Sequence, residues 1–276
     1  LGQLENTDHL NQPSRFAFSV FTKPWKSLSI DNLAAKVQSL GFDGIEFPVR
    51  EGFQVQPEQV EKELPRLSSR LKAYGLHIYS IASTTEEAIF AACAESGVPL
   101  IRIMVDVDFK EGYWASEKRI KSELEKLQVL CQRYRIKVGI QQHIGRTRIK
   151  NAFALHRILD GLDPNCFGAI WDAAHDALTG ERHELSLDVV APYLCMVNLK
   201  NGYYQRVNGN EAEQAQWEPY WSTARQGMAS WPSVIDNLIQ RDYKGVLCLT
   251  AEYSDELHVD DHIAADIAYV KSLVCT

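Results

Sequence analysis

Short apolar runs alternate with segments of helical spacing along nearly the whole chain. Phe16–Phe21 reads as a strand, ended by Lys23-Pro24-Trp25. A helix is predicted from about Ser29, with Leu33, Val37 and Leu40 on one face and Gly41 as its stop. Further strands are predicted at Phe42–Phe47, Leu76–Ile81, Leu100–Val105, Ile136–His143, Phe167–Asp172, Tyr193–Leu199 and Gly245–Glu252. Helical spacing recurs at Val60–Leu71, Glu86–Glu95, Ser116–Tyr134, before Gly161, at Leu185–Val190, Trp231–Arg241 and Asp260–Leu273. Lys200 to Ser230 shows neither period and reads as a long irregular segment rich in aromatic residues.

Eight strands alternating with eight helices imply a parallel sheet, because parallel strands need crossovers. Within 276 residues, eight such units fit a closed (β/α)8 barrel better than an open sheet. No linker composition divides the chain, so residues 15–276 are predicted as one α/β barrel domain. Residues 1–14 are polar, lack a period and read as a flexible N-terminal arm.

In such a barrel the chemistry lies at the C-terminal strand ends. Glu46, Gln141, His143, Asp172, Asn198, Lys200 and Glu252 all fall there, whereas the strand beginnings are apolar or small. The stretch Phe167–His175 shows the pattern best: an apolar run that stops at Asp172, with His175 just beyond. A strand buried on both faces accommodates a carboxylate where a cation or water can compensate its charge. Each residue also has a plain structural reading. Asp172 could cap a turn, Glu46 could pair with Arg50, and Lys200 could begin a loop. Arg225 is of interest only if the site takes an anion. The aromatics Tyr203, Tyr204, Trp217, Tyr220 and Trp221 could cluster locally, form a lid or stack on a sugar ring.

The composition is that of a globular protein, with 45% hydrophobic and 24% charged residues. A formal net charge of -7 argues against nucleic acid as a partner, and no apolar run is long enough to span a membrane. None of the six cysteines forms a Cys-x-x-Cys pair, so no zinc-ribbon or thioredoxin-like motif is present. Several, such as Cys195 and Cys248, sit inside apolar runs as small core residues, which favours a reducing, cytoplasmic setting. The sequence starts at Leu1, so an export signal ahead of it stays an open question.

Several pieces together resemble the xylose-isomerase-like TIM barrels, the sugar phosphate isomerase/epimerase superfamily. These are Gly41-Phe-Asp-Gly-Ile-Glu46, Ile140-Gln-Gln-His143, Ile170-Trp-Asp-Ala-Ala-His175, Val197-Asn-Leu-Lys-Asn201, and Gly227-Met-Ala-Ser-Trp231 with the final Glu252. The resemblance implies one divalent metal, manganese or magnesium, held by Gln141, Asp172, Asn198 and Glu252. Two positions depart from the family pattern. Gln141 stands where Glu is usual and Asn198 where His or Gln is usual. Amide oxygens bring no charge to a cation, so a weak or empty metal site is the expectation.

The resemblance also implies proton abstraction beside a carbonyl of a sugar or polyol derivative. Glu252 would be the base, and His143 or His175 would stand in for the missing second glutamate, since an amide accepts no proton. Lys200 would stabilise an enolate, and Glu46, Arg225 and Trp171 would bind substrate. The open alternatives are a lyase or dehydratase on a sugar-derived substrate and a catalytically weak sugar-binding barrel. A homo-oligomer is compatible with all three readings.

Overall fold

The computed structural model describes residues 15–274; the arm expected at residues 1–14 lies outside the described residues. Seven strands come first: β1 (Ala17–Phe21), β2 (Gly44–Pro48), β3 (His77–Ala82), β4 (Leu100–Ile103), β5 (Lys137–Gln141), β6 (Phe167–Asp172) and β7 (Leu194–Leu199). They are followed by β8 (Asn201–Arg206), β9 (Trp217–Ser222) and β10 (Val246–Leu249). Strands β1 to β7 and β10 close into a parallel barrel in the order β1-β10-β7-β6-β5-β4-β3-β2. The helices are α1 (Ile30–Ser39), α2 (Val60–Ala73), α3 (Glu87–Ser96), α4 (Tyr113–Tyr134), α5 (Ala152–Leu159), α6 (Ala173–Leu178), α7 (His183–Val190), α8 (Trp231–Gln240) and α9 (Val259–Val274). The expected (β/α)8 barrel is therefore the fold. Among the described residues no helix is long and apolar enough to cross a membrane.

Local sequence explains the elements. Ser29 caps α1 by accepting a hydrogen bond from the Asn32 N–H, and Leu33, Ala34 and Val37 form its buried face. Asn151 caps α5 in the same way. The core has two layers. Between sheet and helices lie residues such as Leu33, Leu64, Leu67, Phe90 and Ile101. Inside the barrel, Phe21, Ala82, Leu100, Ile170, Met196 and Cys248 pack together. Gly139 makes this possible, because a Cβ there would lie 2.6 Å from the Ile170 side chain. Truncating a buried leucine such as Leu64 to alanine is worth roughly 2–5 kcal/mol in folds of this density.

Two segments differ from the sequence reading. Residues 200–230 are only partly irregular: β8 and β9 within them form an antiparallel hairpin with Tyr203 paired to Tyr220. The last barrel strand stops at Leu249, so Glu252 lies three residues beyond it. Ala251, between them, adopts a left-handed φ of 53°, a conformation alanine rarely takes and one often found beside functional groups.

Candidate active site

Strand alternation sends Glu46, Ser80, Arg102, Gln141, Asp172 and Asn198 into the barrel, where all are buried. A continuous hydrogen-bond chain joins five of them. Ser80 donates to Glu46 Oε1 (3.2 Å), and Arg102 Nε donates to the same oxygen at 2.6 Å. Arg102 Nη1 donates to Gln141 Oε1 (2.5 Å), and Gln141 Nε2 donates to Asp172 Oδ2 (3.0 Å). A guanidinium has no lone pair to offer, so Arg102 fixes the orientation of the Gln141 amide. Asp172 also caps α6, its Oδ1 accepting from the Ala174 and His175 N–H groups at 3.1 Å each. Burial raises the Asp172 pKa, and Lys200 with the backbone N–H groups pulls against that rise. Burial alone would lower the Arg102 pKa, but the Glu46 carboxylate outweighs it and the net direction is up.

A second cluster lies above this chain. Glu252 contacts Lys200 through one oxygen and Lys23, 2.7 Å away, through the other. Burial pushes the Glu252 carboxyl up, yet the two ammonium groups win and hold it well below the usual carboxylate range. Lys200 also lies 3.5 Å from the centre of the Trp221 ring, and Trp221 meets His175 edge to face. His175 and His143 rings approach to 4.1 Å between centroids. Burial and its cationic neighbours keep His175 neutral, and burial lowers the His143 pKa to about 4. His143 Nδ1 accepts from the Gly145 N–H (2.9 Å), so the neutral ring carries its proton on Nε2.

Three adjoining cavities open across this mouth. One of about 630 Å³ is lined by Lys23, His143, Lys200, Trp221 and Glu252, among others. A deeper one of about 140 Å³ shares Lys23, His143 and Glu252 with it and reaches Gln141, Asn198 and Thr250. The third, about 540 Å³, shares Arg50, Arg102 and Met104 with the second. Neither amide atom of Asn198 finds a hydrogen-bond partner among the described residues, nor does the Thr250 hydroxyl. Unpaired polar groups at the floor of a cavity are the sort of site a hydroxyl-rich ligand satisfies.

The fold brings Gln141, His143, Asp172, His175, Asn198, Lys200 and Glu252 together at one end of the barrel. Three expected substrate-binding residues lie elsewhere. Glu46 is fully buried beneath the mouth and pairs with Arg102 rather than with Arg50. Trp171 points into the helix layer, where its indole N–H donates to Ser186 Oγ at 3.0 Å. Neighbouring strand residues face opposite sides, so a Trp beside the inward Asp172 has to face out. Arg225 lies on the outer surface, 4.0 Å from the Tyr269 ring centre. Sequence reasoning passed over Arg102, although a charge inside the apolar run Leu100-Ile-Arg-Ile was a signal. Lys23 looked like a strand terminator, and Thr250 carried no signal.

The four positions implied as metal ligands do not suit a divalent cation. Among the described residues no three His, Cys, Asp or Glu side chains come together as a metal shell would require. Two of the four positions are amides. The Gln141 oxygen accepts from a guanidinium, and both Glu252 oxygens contact ammonium groups. Positive side chains thus stand against the oxygens a cation would need.

A family described as a xylose isomerase-like TIM barrel matches residues 34–273. No curated protein matches the sequence. Among solved structures, 3-keto-D-glucoside 4-epimerase from E. coli superposes with a TM-score of 0.70 at 13% identity, over 93% of this chain and 99% of that one. A D-psicose 3-epimerase gives 0.70 at 12% identity, over 95% and 100%. A probable 3-DHS dehydratase from Bacillus anthracis gives 0.67 at 16%, over 93% and 99%. These likenesses are of fold. Taken with the match over most of its length, the closed eight-stranded barrel places the chain in the xylose isomerase-like TIM barrel family.

Proposed function

We propose that the protein is an enzyme acting on a sugar-like carbonyl compound by removing a proton next to the carbonyl. One observation supports this most: Glu252 lines both the larger cavity, where it touches Lys200, and the adjoining deep one, whose floor holds the unpaired Asn198 amide. Asn198 and Thr250 would bind substrate hydroxyls. Glu252 is the base. Its basicity is low while both lysines clasp it, and it rises when a substrate oxygen draws Lys200 away. The same Lys200, with the Nε2–H of neutral His143, then stabilises the enolate oxygen. Return of the proton from Glu252 to the neighbouring carbon of the enediolate, with a proton shifted between the two oxygens, completes an isomerisation; an epimerisation requires delivery to the opposite face of the first carbon by a second group.

A divalent metal, manganese or magnesium, is the family's usual means of polarising such substrates. The donor set here favours cationic side chains in that role, so no step is assigned to a metal. Elimination is the second reading, since the proton taken up by Glu252 could be delivered to a leaving hydroxyl, which departs as water. The similarity in fold to a probable dehydratase is compatible with it.

The test is deuterium incorporation from D2O, followed by NMR, over a set of ketoses and keto sugars. The parent is expected to exchange a carbon-bound proton of at least one. Glu252→Gln is expected to lose the exchange while its melting temperature changes little. Exchange at near-parent rate in that variant would remove Glu252 from the mechanism. No exchange with any compound, alongside tight binding, would favour a sugar-binding barrel.

A further inference from the structure

The third cavity at the mouth holds an arginine the chemistry above does not use. Arg50, just beyond β2, is half-buried and lines both the deep cavity and the 540 Å³ one beside it. Among the described residues it has no ion-pair partner. The other two arginines of the cavity are each matched: Arg102 by Glu46 (2.6 Å) and Arg148 by Asp106 (2.7 Å). The nearest aromatic contact of Arg50 is loose, 5.9 Å to the Phe21 ring centre. Burial, and then the positive charge of Arg102, disfavour the charged guanidinium; the Glu46 and Glu252 carboxylates favour it without pairing with it, and the net direction is down. A half-buried cation beside another cation, with no carboxylate in ion-pair contact, costs stability, and such a cost is commonly retained where a ligand repays it.

We infer that Arg50 binds a carboxylate of the substrate, so that the substrate is a sugar acid or a similar carboxylated polyol spanning from Arg50 to Glu252. The inference rests on the reading of this mouth as a sugar-type site. Three features define the ligand chemistry. The guanidinium fork matches a carboxylate through two parallel hydrogen bonds. The cavity offers one unmatched positive charge, which suits a monoanion better than a phosphate dianion; its one acid, Glu86, is exposed. Thr84 and Thr85 add hydroxyl groups to the wall of the cavity. The cavities also adjoin: Arg50, Arg102 and Met104 border both, so one molecule can reach from the anion end to Asn198 and Glu252.

The experiment is titration calorimetry with a panel of hexuronates and aldonates, each paired with its neutral parent sugar, plus the matching sugar phosphates. At least one acid is expected to bind about tenfold or more tightly than its neutral partner. Arg50→Gln should erase that preference while the affinity for the neutral sugar is kept. Arg50→Lys should restore part of it. The melting temperature of Arg50→Gln should stay level or rise, because a repelled cation has been removed. If no acid exceeds its neutral partner, or if the preference survives in Arg50→Gln, the inference is wrong. Tighter binding of a sugar phosphate than of any carboxylate would overturn the choice of carboxylate. Binding is measured without turnover, so this result stands apart from the exchange experiment. Arg50-dependent acid binding without any exchange would refute only the catalytic reading.

Discussion

Asp172 and Gln141 show how a residue's neighbours decide its chemistry. Gln141 is held by Arg102 on one side and gives its N–H to Asp172 on the other. Restoring a glutamate there would seem to complete a metal shell. The new carboxylate, however, would meet the Arg102 guanidinium at once and face the Asp172 oxygen about 3.0 Å away. Gln141→Glu is therefore expected to gain less than about tenfold in manganese affinity by calorimetry, and to melt lower than the parent. A larger gain would mean that Arg102 swings aside and a metal site is latent. His143 gives a second residue-scale expectation. Its folded pKa, about 4, lies below the ordinary histidine value, so the ring is neutral at pH 7 and takes a proton only as the pH falls towards 4. NMR titration of its ring carbons should show no charging between pH 8 and about 5. A midpoint near 6.5 would contradict the neutral N–H donor role. Asp172 was legible as a strand-end residue, and His143 and Glu252, two and three residues past their strands, as groups at the same mouth; the Arg102 contacts were not, because its partners lie 56 and 39 positions away in sequence.

The elements were legible wherever a period was present. Strand β6 was read at its observed limits because an apolar run buried on both faces ends cleanly at Asp172. The β8–β9 hairpin was not read, because Asn201–Arg206 is polar and aromatic without an apolar alternation. Tertiary anchoring shapes the hairpin instead. The buried Asn201 donates to the Ala224 and Ala229 carbonyls (2.7 and 2.8 Å) and accepts from the Gly202 and Ala229 N–H groups. Trp221 is tied through its backbone N–H to Ser254 Oγ at 2.9 Å, two residues after Glu252 in the chain. The hairpin is fastened at its base and holds Trp221 over Lys200 and His175. Asn201→Ala is expected to cost about 2–4 kcal/mol in denaturant unfolding, since it leaves buried backbone groups unpaired. A change below about 0.5 kcal/mol would show that the base does not depend on it.

At the scale of the whole molecule, the barrel collects polar groups from six strands and the segments just after them at one end. Alternation and strand count made that gathering legible. Which side chains meet was not legible, because it depends on pairing between strands distant in sequence. The outcome is a mouth in which Lys23, Lys200 and Arg102 occupy the oxygens a divalent cation would take, beside a carboxylate, a neutral histidine and an orphaned amide. The central claim is that these side chains, without a metal, remove a proton beside a sugar carbonyl. The most direct measurement is deuterium exchange from D2O by protein stripped with a chelator and verified metal-free by elemental analysis. The expected result is exchange at the same rate as the untreated protein, with no gain on adding manganese or magnesium. Exchange that vanishes on stripping and returns with manganese would contradict the claim.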